Sequence, residues 1–187
     1  TENQFNTILK KDYVLSGKQI SNKKEDKRTG KKFFDNEFMH TSNSNHSGLK
    51  NANIYDYGFG INQIEMLNGI DLHNRGFDGE GVTIAVLDAG FENADQLDVF
   101  DSLFLSGRML GTRNFAEPGE SVYTPGISAH GTMVLSTMGG YWPGQLIGTA
   151  PKANYWLLRT EYAPTETLIE EYYWLAGAEF ADSVGAH

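Results

Sequence analysis

The chain has 187 residues, no cysteine and a formal net charge of −9, with an apolar content ordinary for a folded domain. The missing cysteines exclude disulfides, zinc–thiolate centres and cysteine nucleophiles, and leave the redox compartment open. No apolar run approaches the roughly 18 residues of a membrane helix, so no membrane span is expected.

Charge divides the chain. Residues 1–55 hold ten Lys and Arg against six Asp and Glu, whereas residues 56–187 hold five against eighteen. Phosphate binding needs clustered Lys and Arg, so the acidic body argues against a nucleic-acid partner. Residues 1–55 read as a flexible linker or the end of a propeptide. Ile8, Leu9, Val14, Leu15 and Ile20 follow no period, Ser21 to Lys32 is basic and polar, and His40 to Asn53 has almost nothing to bury. Such composition does not offset the entropy of ordering. The sequence opens at Thr1 without an initiator Met or a signal peptide, which points to a processed chain or a fragment.

Order is expected to begin near Tyr55. Asn62 reads as the N-cap of a helix carrying Ile64, Leu67 and Ile70, interrupted at Asn68-Gly69 and followed by a short turn over Asp71 to Asn74. Gly76 to Gly81 then leads into Val82-Thr83-Ile84-Ala85-Val86-Leu87, a run that reads as a strand buried on both faces. It ends in Asp88, Ala89 and Gly90. A carboxylate at the carboxyl end of such a strand lies where open α/β sheets place their chemistry.

Val99 to Leu105 reads as a short helix or packed loop, Met109 to Phe115 as a second strand, and Glu117 to Ser128 as loop. His130 to Gly140, rich in small and apolar residues, reads as a tightly packed helix with its histidine in the first turn. Tyr141 to Gln145 is a turn and Ala153 to Arg159 the next strand. Glu166 to Ser183 is the best helix, with an apolar stripe of Leu168, Ile169, Tyr172, Leu175, Ala176 and Phe180, Thr165 as N-cap and Gly185 as C-terminal cap. Strand, helix, strand, helix in this order predicts a parallel α/β sheet.

Of five histidines (His40, His46, His73, His130 and His187), His130 has the most suggestive company. Gly131 and Thr132 leave room beside its ring, and a helix start fixes its direction. A carboxylate at a strand end and a histidine at a helix start are two parts of a nucleophilic hydrolase: the carboxylate orients the imidazole, which takes the nucleophile's proton.

Ile84 to Gly90 and His130-Gly131-Thr132-Met133-Val134 resemble the aspartate and histidine motifs of the subtilisin-like serine peptidases, in that family's order. Gly148-Thr149-Ala150-Pro151-Lys152-Ala153 resembles its segment after the histidine helix, and Asn62-Gln63-Ile64 and Leu72 to Gly79 resemble its lead-in. The resemblance covers roughly residues 60–187. It implies a parallel-sheet, subtilisin-like three-layer α/β fold of which residues 56–187 form the N-terminal half only. It implies serine endopeptidase chemistry on a peptide or protein substrate, with Asp88 as orienting carboxylate and His130 as general base and acid.

The family's serine motif does not occur here. Ser128 and Ser136 flank His130 too closely to replace it, and Ser183 has none of its neighbours. The family's oxyanion-hole asparagine and substrate-lining strand lie further along, the strand beginning just after Gly185-Ala186-His187. The isolated chain is therefore expected to be inactive, with the remainder of the catalytic domain as its partner. Ala89 stands where the family usually has Thr or Ser. Tyr141-Trp142-Pro143-Gly144-Gln145 occupies the place of a calcium loop but offers few side-chain oxygens, and Gln63 resembles only one ligand, so no metal or other cofactor is expected. A secreted or cell-envelope location follows from the resemblance. Two alternatives remain: a non-catalytic peptidase-like binding module, and a phosphoaspartate acceptor at Asp88. The latter is weakened because Gly90 stands where haloacid-dehalogenase-like phosphatases have a second aspartate.

Overall fold

The structure, a computed structural model, describes residue 10, residues 53–165 and residues 167–187. The tether expected over residues 1–55 lies outside the described residues except at positions 10 and 53–55. Its last residue, Tyr55, is packed: its hydroxyl donates to Asp78 Oδ2 at 2.5 Å, and its ring meets those of Tyr57, His73 and Tyr141 edge-on.

A 3-10 turn at Gly58–Gly60 runs directly into α1 (Ile61–Met66). The chain is thus already helical at Asn62, and Gly60 precedes the helix in place of the expected Asn62 cap. Asn68, in the left-handed region at φ 56°, ends α1, and the chain then forms α2 (Gly69–Asn74) where only a turn was expected. A helix this short is held by tertiary contacts more than by propensity. The buried ring of His73 supplies them here.

The central sheet is parallel and three-stranded, in the order β1 (Thr83–Asp88), β5 (Asn154–Arg159), β2 (Met109–Asn114). Successive strand residues face opposite sides, which sorts the layers. Val86 joins Tyr155 and Leu157 of β5, Leu135 of α4 (His130–Gly139), and Phe91, Phe100, Leu103 and Val122 in one buried core. Leu87, on the other face, lies under α5 (Ile169–Ser183), where a Cβ added to Gly177 would come within 3.1 Å of it. The architecture is therefore α/β, with α4 and α5 on opposite faces of the sheet. Each fully buried Phe or Leu contributes about 1.5–3 kcal/mol, so the α4 face carries most of the core. Two 3-10 turns (Ala94–Gln96 and Asp98–Phe100) and α3 (Asp101–Leu105) cover its flank, while β3 (Tyr141–Trp142) and β4 (Leu146–Ile147) form a small antiparallel pair.

β1 is not buried on both faces. Only Val86 and Asp88 are buried and the other four residues are intermediate, because among the described residues β1 pairs with β5 alone and its other edge is open. At that edge the His187 amide donates to the Thr83 carbonyl at 2.9 Å. α5 starts later than expected. Leu168, not Thr165, precedes it, and Glu170 reaches back to accept from the Thr167 amide at 3.3 Å, one arm of a capping box. Glu166 lies outside the described residues. Ala176, Gly177 and Phe180 face the sheet, with Phe180 edge-on to Trp156. Leu168, Tyr172 and Leu175 of the expected stripe are exposed instead, as is Trp174. Gly185, at φ 73°, ends the helix as expected, with the Ala186 amide donating to Ala181.

Candidate active site

Three strand ends meet at one edge: Asp88, Arg159 and Asn114 are in register across β1, β5 and β2. After Asp88 the chain turns at Ala89-Gly90, and the Ala89 amide donates to Asp88 Oδ1 at 2.7 Å. His130 is the first residue of α4, and its ring reaches across to this carboxylate. Nδ1 lies 2.9 Å from Oδ1 and 2.8 Å from Oδ2. A carboxylate only accepts, so the proton of this contact sits on Nδ1. The Asp88 side chain is 7% exposed and that of His130 46%, so the pair is sealed at the acid and open at the imidazole.

Two glycines make the approach possible. The Gly131 amide donates to the Gly90 carbonyl at 3.0 Å, and a Cβ at Gly131 would lie 2.5 Å from that oxygen. A Cβ at Gly90 would lie 2.8 Å from Ile127. Any side chain at Gly131 would push α4, and His130 with it, off the turn that carries Asp88. The loop ahead of α4 is bonded along the segment that follows Asp88. Phe91, Glu92 and Asn93 amides donate to Val122, Ser128 and Tyr123, the Gly126 amide donates to Glu92 Oε1, and Thr132 Oγ1 donates to Glu92.

The three serines considered as replacements are all in local backbone contacts. Ser128 Oγ accepts from the His130 amide, Ser136 donates to the Met133 carbonyl, and Ser183 donates to Phe180. Of the other histidines, His73 is buried at the far end of the sheet, His187 lies beside Thr83, and His40 and His46 fall outside the described residues. Gln63 is exposed on α1. The turn after β3 packs directly on the lead-in, with the Gly144 amide donating to Asp56 and the Phe59 amide to Gln145. Among the described residues no group of three or more His, Cys, Asp or Glu could hold a metal ion, and no helix is long and apolar enough to cross a membrane.

No protein-family model and no curated protein sequence matches this chain.

One residue here escaped the sequence reading. Arg159 closes β5 as a charge at the end of an apolar run, and is 1% exposed. Its Nε donates to the Ala89 carbonyl at 2.9 Å and its Nη1 to Glu117 Oε2 at 2.5 Å. It forms part of the wall of a groove of about 370 Å³ with Glu117, Thr124, Ile127, Tyr162 and Pro164. An arginine ending a strand of aliphatic residues was the available signal.

Proposed function

We propose that the chain carries the acid–base half of a subtilisin-like serine peptidase site, with the nucleophilic serine supplied by a segment outside this sequence. The observation that carries the reading is the contact of His130 Nδ1 with both oxygens of the buried Asp88 carboxylate, the imidazole remaining half exposed. In this reading His130 Nε2 takes the serine proton as the hydroxyl oxygen attacks the peptide carbonyl carbon. Asp88 holds the ring in the required tautomer and stabilises the imidazolium. The same nitrogen then returns the proton to the departing amine.

The open side of the sheet supports a partner segment. Among the described residues no strand pairs with the outer edge of β1, which His187 meets at Thr83, and beside it Ala85, Leu87, Trp174, Ala178, Ala181 and His187 line a cavity of about 380 Å³. Trp174 and Leu175 are 56% and 50% exposed on the adjoining helix. The remainder of a catalytic domain adding a strand beside β1 would cover both. An exported location accompanies this reading. The phosphoaspartate alternative fares worse, because both Asp88 oxygens already face His130.

The test is a version extended at its C-terminus with the downstream coding sequence, assayed on a protein substrate with and without a serine-directed inhibitor. The extended chain should hydrolyse peptide bonds and lose this with His130→Ala, while the 187-residue chain does not. Inhibitor-sensitive hydrolysis by the short chain, or full activity of the extended His130→Ala variant, would sink the reading.

A further inference from the structure

We propose that Arg159 is a positioning residue for the Asp88–His130 pair. For its catalytic meaning this rests on the peptidase reading, but the positioning itself rests on geometry alone.

A guanidinium at a strand end is expensive to bury, even after the surroundings relax. A buried ion pair is therefore poor evidence of a stabilising purpose, and what the cation holds in place is the better guide. The side chain of Arg159 is 2% exposed, against 46% for its partner Glu117. One arm grips the carbonyl of Ala89, the residue that follows Asp88 and whose amide donates to the Asp88 carboxylate. The other grips Glu117, at the start of the loop that ends in His130. That loop start is fixed independently: Asn114 Oδ1 accepts from the Glu117 amide at 2.8 Å and Asn114 Nδ2 donates to the Glu120 carbonyl at 3.2 Å. The Phe115 amide adds a bond to the Arg159 carbonyl at 2.8 Å.

Arg159 thus ties together the two segments whose ends carry the acid and the base. Its position in register between Asp88 and Asn114 puts its side chain on the same sheet face as Asp88. A fixed positive charge is thereby placed on the side of the sheet where the carboxylate sits. The planar fork matters as much as the charge. Two acceptors in different directions suit a guanidinium, whereas an ammonium on a flexible stem serves them less well.

The test uses the 187-residue chain and reads the far-downfield proton resonance of His130 Nδ1–H, which reports its hydrogen bond to Asp88. The wild-type chain should show the resonance. Arg159→Met should broaden it by faster exchange with water, Arg159→Lys should recover it in part, and Glu117→Gln, changing a half-exposed arm, should weaken it with the fold intact. A merely structural arginine would lower the melting temperature and leave the resonance of the folded variant unchanged. An unaltered resonance in folded Arg159→Met overturns the proposal. If that variant does not fold, an unaltered resonance in Glu117→Gln overturns it. Absence of the resonance in the wild-type chain overturns it too, because there is then no pair to position. In an active extended chain, Arg159→Lys should lower kcat by up to roughly 10²-fold with KM unchanged, the scale of an ångström-sized misplacement. An altered resonance in an extended chain that hydrolyses nothing would support the positioning while removing the peptidase reading.

Discussion

The two ends of the parallel sheet each hold a buried aspartate and a histidine, and they use them in opposite ways. Ahead of the strands, Asp78 is held by the Tyr55 hydroxyl at 2.5 Å and by Lys152 Nζ at 2.9 Å. Nearby His73 is 1% exposed, with Nδ1 2.9 Å from the Tyr57 hydroxyl and Nε2 2.9 Å from the Thr149 carbonyl. Because a carbonyl only accepts, His73 Nε2 donates to Thr149, and with Nδ1 against the Tyr57 hydroxyl both nitrogens are used inside the fold. Beyond the strands, Asp88 meets a histidine that is half exposed, with Nδ1 committed to the acid. Burial of the acid is common to both ends. What separates them is whether the histidine faces solvent, and that distinguishes a fastening from a site where chemistry is possible.

The largest effect that tests this contrast is on turnover. On the proposed peptidase reading, Asp88→Asn in an extended chain bearing the nucleophile should reduce kcat by about 10⁴, through the wrong tautomer of His130. Its urea midpoint should stay close to that of the parent. His73→Ala should do the reverse, costing about 2–4 kcal/mol for the lost ring and the two polar groups left behind, with turnover kept below the melting transition. A loss of turnover at His73 as large as at Asp88 would erase the distinction. Gly131→Ala falls between. Its Cβ would meet the Gly90 oxygen at 2.5 Å, and relief of such overpacking typically costs about 1–3 kcal/mol. Because the helix must move off the Asp88 turn, the variant should lose activity beyond what its stability predicts, as an assay well below its melting point would reveal.

The residues that can be read from a sequence are those whose constraint is local. β1, its terminal Asp88 and the glycine beside His130 were legible because an apolar run ending in a carboxylate, and a histidine followed by small residues, each state their own requirement. The α/β class followed from the order of such segments. Arg159 was not legible, since its partners Ala89 and Glu117 are 70 and 42 residues away in sequence. His73 looked like any other histidine until α2 brought it beneath Tyr57. The helical stripe of α5 was right at Ala176 and Phe180 but wrong at Leu168, Tyr172 and Leu175, for a different reason. With apolar residues on most sides of the helix, periodicity did not choose a face, and close approach at Gly177, where a Cβ would lie 2.7 Å from Thr160, selected the one now buried. Likewise β1 read as doubly buried because composition records what a strand is suited to, not how much of it the described residues cover.

The smallest effect concerns pH and belongs to the fastening at Asp78. Burial pushes this carboxyl up, but the hydrogen bonds from Tyr55 and Lys152, the charge of Lys152 and the Glu80 backbone bond outweigh it and leave it below its ordinary value of 3.8. The folded state therefore holds the proton less tightly than the unfolded one. The contribution to stability is present above that ordinary value and is lost as pH falls through the lower folded value. Tyr55 works in the opposite direction. Burial, then the bond to Asp78, pushes its hydroxyl from 10.0 up to about 12. Its contribution is complete below 10.0 and disappears as pH rises through about 12. Asp78→Asn should flatten the acid limb of the stability curve and Tyr55→Phe the alkaline limb, as read by urea midpoints across pH. Neither substitution should disturb the Nδ1–H resonance of His130 at neutral pH, because the two sites lie at opposite ends of the strands. A shift of that resonance on either change would mean that the ends are coupled through the strands, and the division between a fastening end and a working end would then fail.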